Sequence, residues 1–124
     1  MRGAASVEMA LVSLLFYSMM FGVVYAAIVM FAWNSAAYAA RQATRYAMVH
    51  GAASGYACTS AQLQSMVRRS SGLQSATVTT TWTPNNSPGS TVKVFVSMPV
   101  AVFVPLVSIK SVTVASSSQM IILQ

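Results

Sequence analysis

The run Gly3-Ala4-Ala5-Ser6-Val7-Glu8-Met9-Ala10-Leu11-Val12, followed by apolar residues almost without a break to Trp33, decides how this chain is built. Glu8 is the only acidic residue, and no further charge occurs until Arg41. Between Met9 and Trp33 the polar interruptions are Ser13, Ser18 and Gly22, with the amphipathic Tyr17 and Tyr25. A helix over this segment is about 37 Å long at 1.5 Å per residue. That exceeds a hydrocarbon core of about 30 Å. The apolar stretch is also much longer than the roughly 7–15 residues of a secretory signal core. No clean small-x-small cleavage site separates it from the residues after Trp33. The reading is therefore a retained membrane helix with one carboxylate at its entrance.

Beyond Trp33 the helical pattern continues to about Val49. Asn34 and Ser35 mark the exit from lipid without stopping the helix. Ala36, Ala40, Ala43 and Ala47 then recur at helical spacing, one face made of alanine alone, and small residues allow a second backbone to approach closely. Tyr38, Arg41 and Arg45 occupy a different face, which the ordinary behaviour of basic side chains makes solvated or headgroup-facing. His50-Gly51 is read as the helix end, with glycine just past the C-terminus. A loop over 52–59 leads to Ser60 as the N-cap of a short helix, Ala61 to Arg69. Leu63, Met66 and Val67 lie on one side of it, Arg68 and Arg69 in its last turn, and Gly72 ends it.

From Ala76 the period changes to two. Ala76, Val78, Thr80 and Trp82 alternate with threonines, in a composition favoured in strands. Pro84-Asn85-Asn86-Ser87-Pro88-Gly89 is a turn signal. Val92, Val94, Val96 and Met98 form a second, antiparallel strand. The proline-flanked run Val100 to Val107 reads as a strand continuation and an apolar loop. Ile109 to about Ile122 reads as a last strand with a break at Ser116-Ser117-Ser118. The fold class expected is α+β: a long membrane-spanning helix continuing into a small domain with a short second helix and a three- to four-stranded antiparallel sheet. The alanine face is its expected cover.

Composition narrows the function. Hydrophobic residues make up 56% and charged residues 6%, against about 25% charged in an ordinary globular domain. The net charge of +6 comes from dispersed groups (Arg2, Arg41, Arg45, Arg68, Arg69, Lys93 and Lys110). This fits an anionic membrane surface or acidic partner at least as well as nucleic acid. With no Asp, one Glu, one His and one Cys, paired carboxylates for acid–base catalysis are impossible within one chain. Glu8, His50 and Cys58 do not make a zinc site, which takes three or four ligands held together. A Ser–Lys pair using Lys93 or Lys110 has no motif behind it. No catalytic residue, metal or cofactor is expected. Cys58 has no intrachain disulfide partner, so the fold does not rest on one. Free cysteine ordinarily behaves as a small buried apolar residue, an intermolecular bridge being the alternative.

Gly3-Ala4-Ala5-Ser6-Val7-Glu8 resembles the processing site of type IV pilins and pseudopilins. More narrowly, Arg2 to Val12 is similar to the opening of TadE-like proteins, the pseudopilins of tight-adherence (Flp) pili. Ala39-Ala40-Arg41-Gln42-Ala43-Thr44-Arg45-Tyr46-Ala47 is similar to the stretch following the membrane helix in that family. Val92 to Val96, leading into a proline-containing apolar run, is a looser likeness. Met9 departs from the family's usual Phe or Tyr after the glutamate. The resemblance implies a leader over 1–3, cut between Gly3 and Ala4 by a prepilin peptidase, and an assembly and membrane helix over 4–33. The helix continues over 34–51 and an α+β domain occupies 52–124. It also implies that Glu8 pairs with the N-terminal amine of Ala4 in a neighbouring subunit. The implied partners are other pilins or pseudopilins, the peptidase, the inner-membrane assembly platform and lipid. The implied location is the bacterial inner membrane, with the C-terminal domain on the extracytoplasmic side. Counting basic residues alone (Arg2 against Arg41 and Arg45) gives the reverse orientation. The resemblance takes precedence, because both arginines lie on a continuing helix. The expected function is that of a minor pilin or pseudopilin in assembly or priming of a tight-adherence pilus or related secretion apparatus. The alternatives are a major filament subunit, an unprocessed bitopic anchor or chaperone, and a nucleic-acid-binding pseudopilin using Arg68 and Arg69.

Overall fold

The computed structural model describes residues 2–71, 74–102 and 111–123. The expected helix end at Gly72, the start of the last strand at Ile109 and most of the apolar loop before it lie outside those residues. The element order is α1 (Arg2–Val49), a 3₁₀ turn (Ala52–Ser54), α2 (Ser60–Ser71), β1 (Thr77–Thr83), β2 (Thr91–Ala101) and β3 (Ser111–Ile121).

Helix α1 is one uninterrupted element of about 72 Å. No proline occurs before Pro84 to break it, and its composition is rich in Ala and Met, which favour helix. Within the apolar segment the Ser18 hydroxyl donates to the Leu14 carbonyl at 2.8 Å. A polar side chain is thereby satisfied by its own helix, without water.

The end of α1 differs from the glycine cap read from the sequence. Gly51 is extended, with φ −74° and ψ −178°, so no left-handed residue closes the helix. Carbonyls at and just past its end are bonded from elsewhere in the chain instead: Leu123 N donates to Met48 O at 3.1 Å, and Cys58 N donates to His50 O at 2.9 Å. The His50 ring Nδ1 lies 3.0 Å from Tyr46 O, and because a carbonyl only accepts, Nδ1 carries the proton in that bond. The imidazole also stacks on the Tyr46 ring, with centroids 4.0 Å apart.

Helix α2 is capped one residue earlier than Ser60. Gln62 N donates to Thr59 Oγ1 at 3.3 Å and Thr59 N donates to Gln62 Oε1 at 3.0 Å. This is the reciprocal pairing of a capping box. Leu63 and Val67 are buried and Met66 partly so. Arg68 Nε donates to Ala76 O at 3.4 Å, tying the helix to the chain entering β1.

The three strands form an antiparallel meander in the order β1-β2-β3. Thr80 faces Val94 across β1 and β2, and Val94 faces Ser118 across β2 and β3. Asn85 organises the β1–β2 turn, its Oδ1 accepting from Ser87 N at 3.2 Å and from Ser90 Oγ at 2.8 Å. Gly89 sits there at φ +84°, a conformation glycine adopts without steric cost. Strand β3 runs unbroken through Ser116-Ser117-Ser118, contrary to the sequence expectation. Those serines keep ladder partners in Val96, Phe95 and Val94, which outweighs their weak strand preference.

Both helices lie on one face of the sheet. Helix α1 packs on β2 and β3, and α2 packs on α1 and β1. Ala36, Ala39, Ala40, Ala43 and Ala47 are each fully buried, in one cluster with Cys58, Leu63, Val67, Ala76, Val78, Val92, Val94, Val96 and Ile122. The sequence missed Ala39 and Thr44. Thr44 is fully buried, donates to Ala40 O at 2.6 Å, and has its hydroxyl 3.5 Å from Ser118 O. Ser116 and Ser118 alternate with exposed residues on the partly buried side of β3. Small side chains on both surfaces let the helix come close to the strand.

Replacing Ala43 with Leu is expected to overpack this contact and cost about 1–3 kcal/mol. Arg41→Leu, on the exposed side of the same turn, is expected to stay within about 0.5 kcal/mol of the parent. Denaturant unfolding of the two variants in detergent checks the pair. Equal stabilities would show that the alanine face is not a tight interface.

Candidate functional site

Two parts of α1 carry the residues singled out from the sequence, and they lie far apart. The lower part carries Gly3, Ala4 and Glu8, all helical and exposed. Its apolar window has mean hydropathy 2.1 and none of it is buried within the chain. Leu15, Met19 and Phe31 are 71%, 78% and 73% exposed. An apolar surface of this extent marks contact with lipid or other protein. The helix is long and apolar enough to cross a membrane. Gly3 is not required by packing, since a Cβ there meets nothing within 4 Å.

The upper part of α1, where Ala36, Ala40, Ala43 and Ala47 lie, is fixed to the sheet. Ala36 is about 42 Å along the helix from Glu8. One continuous helix also holds Glu8 and His50 about 63 Å apart. The structure therefore does not bring Glu8, His50 and Cys58 together. His50 and Cys58 do meet, through the backbone bond at the end of α1, as structural residues rather than ligands.

Arg41 and Arg45 line a shallow groove with Tyr38 and Gln42. Gln42 Oε1 is buried there without a hydrogen-bond partner, a feature with no signal in the sequence. A second groove, between α1 and α2, is lined by Tyr46, Gln62, Ser65, Met66 and Arg69. Arg68 is engaged with the Ala76 carbonyl, so the Arg68-Arg69 pair does not present a free basic pair.

The description "TadE-like protein" matches residues 3–45. Over those residues the chain is TadE-like. The matched stretch runs from Gly3 through Glu8 and the apolar helix to Arg45, and so includes most of the alanine face. The match spans 43 of the 124 residues, so the likeness is to that stretch of the chain. Neither the curated proteins nor the solved structures gave a match.

Beyond the matched stretch, Cys58 is 4% exposed. Burial pushes its thiol above the ordinary value, and its own backbone N–H pulls weakly the other way. The folded state thus favours the neutral thiol. That preference stabilises the fold below the thiol's unfolded pKa and is lost as pH rises into the alkaline range. Because the thiolate is the reactive form, native protein at neutral pH is expected to resist iodoacetamide, with full modification after denaturation, read by intact mass. Rapid native alkylation would mean that Cys58 is accessible.

Proposed function

We propose that the chain is a minor pilin or pseudopilin of a tight-adherence pilus or related secretion apparatus, acting in its assembly or priming. One observation carries this reading. A fully uncovered apolar helix with a single carboxylate near its start is joined, without a break, to a small sheet domain. Such a helix has two covers available, the bilayer before assembly and neighbouring helices afterwards. The rigid junction lets movement of the helix carry the domain with it.

In this reading the prepilin peptidase cuts between Gly3 and Ala4, and the chain sits in the bacterial inner membrane with its sheet domain outside the cytoplasm. The exposed, helical Gly3–Ala4 region supports an accessible site. The absence of any packing reason for Gly3 supports a requirement imposed from outside the fold. Cleavage gives Ala4 a free amine. Glu8 then lies one helical turn from a positive charge, and in a low-dielectric assembly the two are favourable partners between subunits. A carboxylate in the early part of a helix is also favoured by the helix dipole. Arg41 and Arg45 are exposed on the part of α1 that bears the domain, so they belong to the folded domain rather than to a short loop governing orientation.

Intact-mass analysis of protein extracted from membranes of cells carrying the peptidase is expected to show loss of Met1 to Gly3. Glu8→Gln is expected to leave that cleavage in place and to abolish cross-linking to neighbouring pilins. A chain that begins at Met1 in such cells would favour the unprocessed anchor. Unchanged cross-linking by Glu8→Gln would remove the carboxylate from assembly.

A further inference from the structure

The sheet does not stop where the apolar helix stops. Strand β1 begins at Thr77, opposite Ser97. Below that point Met98 to Ala101 of β2 pair with Ser111 to Val114 of β3. Among the described residues this is a two-stranded ribbon projecting past β1 along α1. The ribbon packs on the helix, where Ala32, Val100 and Val114 form a separate buried cluster joined by Val29 and Met98. Val29 and Trp33 line a hollow with Val112, Thr113, Val114 and Ala115. The sheet thus overlaps the helix down to Val29, below the lipid exit read from the sequence at Asn34.

Counting lengths locates that overlap. A hydrocarbon core takes roughly 20 helical residues, and starting after Glu8 these reach Ile28. The carboxylate then lies at one boundary and Val29 at the other. Trp33 stands about 6 Å above Val29, at headgroup height, and is 56% exposed; tryptophan is enriched at that depth. The ribbon beside it has no charged residue in 98–102 or 111–114. Val112 is 36% exposed in the lower part of the described ribbon.

We infer that the lower part of the described β2–β3 ribbon is a second membrane contact, seated among headgroups and upper acyl chains of the bilayer that α1 crosses. This rests on the membrane reading of α1. The ribbon cannot go deeper, because a two-stranded ribbon leaves edge N–H and C=O groups that hydrocarbon does not satisfy. The occupant is lipid because this surface is continuous with the helix surface already committed to lipid. Held at two points, the domain stands upright on the bilayer.

Depth measurement tests this. Val112→Cys, Phe16→Cys and Gln119→Cys are each labelled with an environment-sensitive fluorophore and reconstituted in phosphatidylcholine vesicles, with the buried Cys58 left in place. The label at position 112 is expected to be blue-shifted, quenched by shallow lipid nitroxides and shielded from aqueous iodide. The label at 119 should be open to iodide, and that at 16 quenched by deep nitroxides. If 112 behaves like 119 while 16 remains in lipid, the ribbon contact is wrong and the membrane span stands. If 16 also opens to iodide, the span fails and the ribbon contact with it.

Discussion

The close approach of the alanine face of α1 to the sheet is the contact on which the rest of the structure depends. A helix normally packs against a sheet through bulky side chains. Here the helix contributes Ala36, Ala39, Ala40, Ala43 and Ala47, and the valines of β2 supply the volume. The serines of β3 answer the same geometry. The Thr44 hydroxyl lies 3.5 Å from the Ser118 backbone carbonyl, a measure of how near the two surfaces come. Dispersion gains fall off steeply with separation, so small residues on both surfaces make a tight seam that larger ones would open.

This seam also explains how the end of α1 is closed. With the sheet held along the helix, Leu123 and Cys58 are positioned to donate to the carbonyls at and just past the helix end. A helix end satisfied from elsewhere in the chain does not need a left-handed glycine, and Gly51 stays extended. The same arrangement places Ala52 N on the β1–β2 turn, at 2.7 Å from Asn86 O. The upper end of the molecule is thereby tied together by backbone bonds, while the lower helix buries none of its apolar window within the chain. The two halves answer to different environments. One is a small sheet domain whose core includes the alanine face of the upper helix, and the other an apolar helix surface that the chain leaves unburied.

Several features were legible in the sequence because they rest on composition and period. The apolar length after Glu8, the shift from a period of 3.6 to a period of two near Ala76, and the alanine spacing each report a local physical requirement. The alternation of Val92, Val94 and Val96 with exposed neighbours is of the same kind. For the candidate site, Gly3, Ala4 and Glu8 were legible through resemblance and the lone charge, not through geometry. The structure shows that they are exposed and helical.

The sequence by itself determined that one long helix precedes a small antiparallel sheet and that the helix is apolar enough to cross a bilayer. These follow from side-chain inventory and periodicity, which are local. Only the tertiary structure decided where the helix stops being free and starts being covered, at Val29 rather than beyond Trp33. It also decided that Thr59 rather than Ser60 caps α2, that β3 passes unbroken through three serines, and that the carbonyls at the end of α1 find Cys58 and Leu123. Each of these depends on which groups far apart in the chain are brought within hydrogen-bond or van der Waals distance. A residue's own propensity yields when ladder pairing or a close neighbour contributes more.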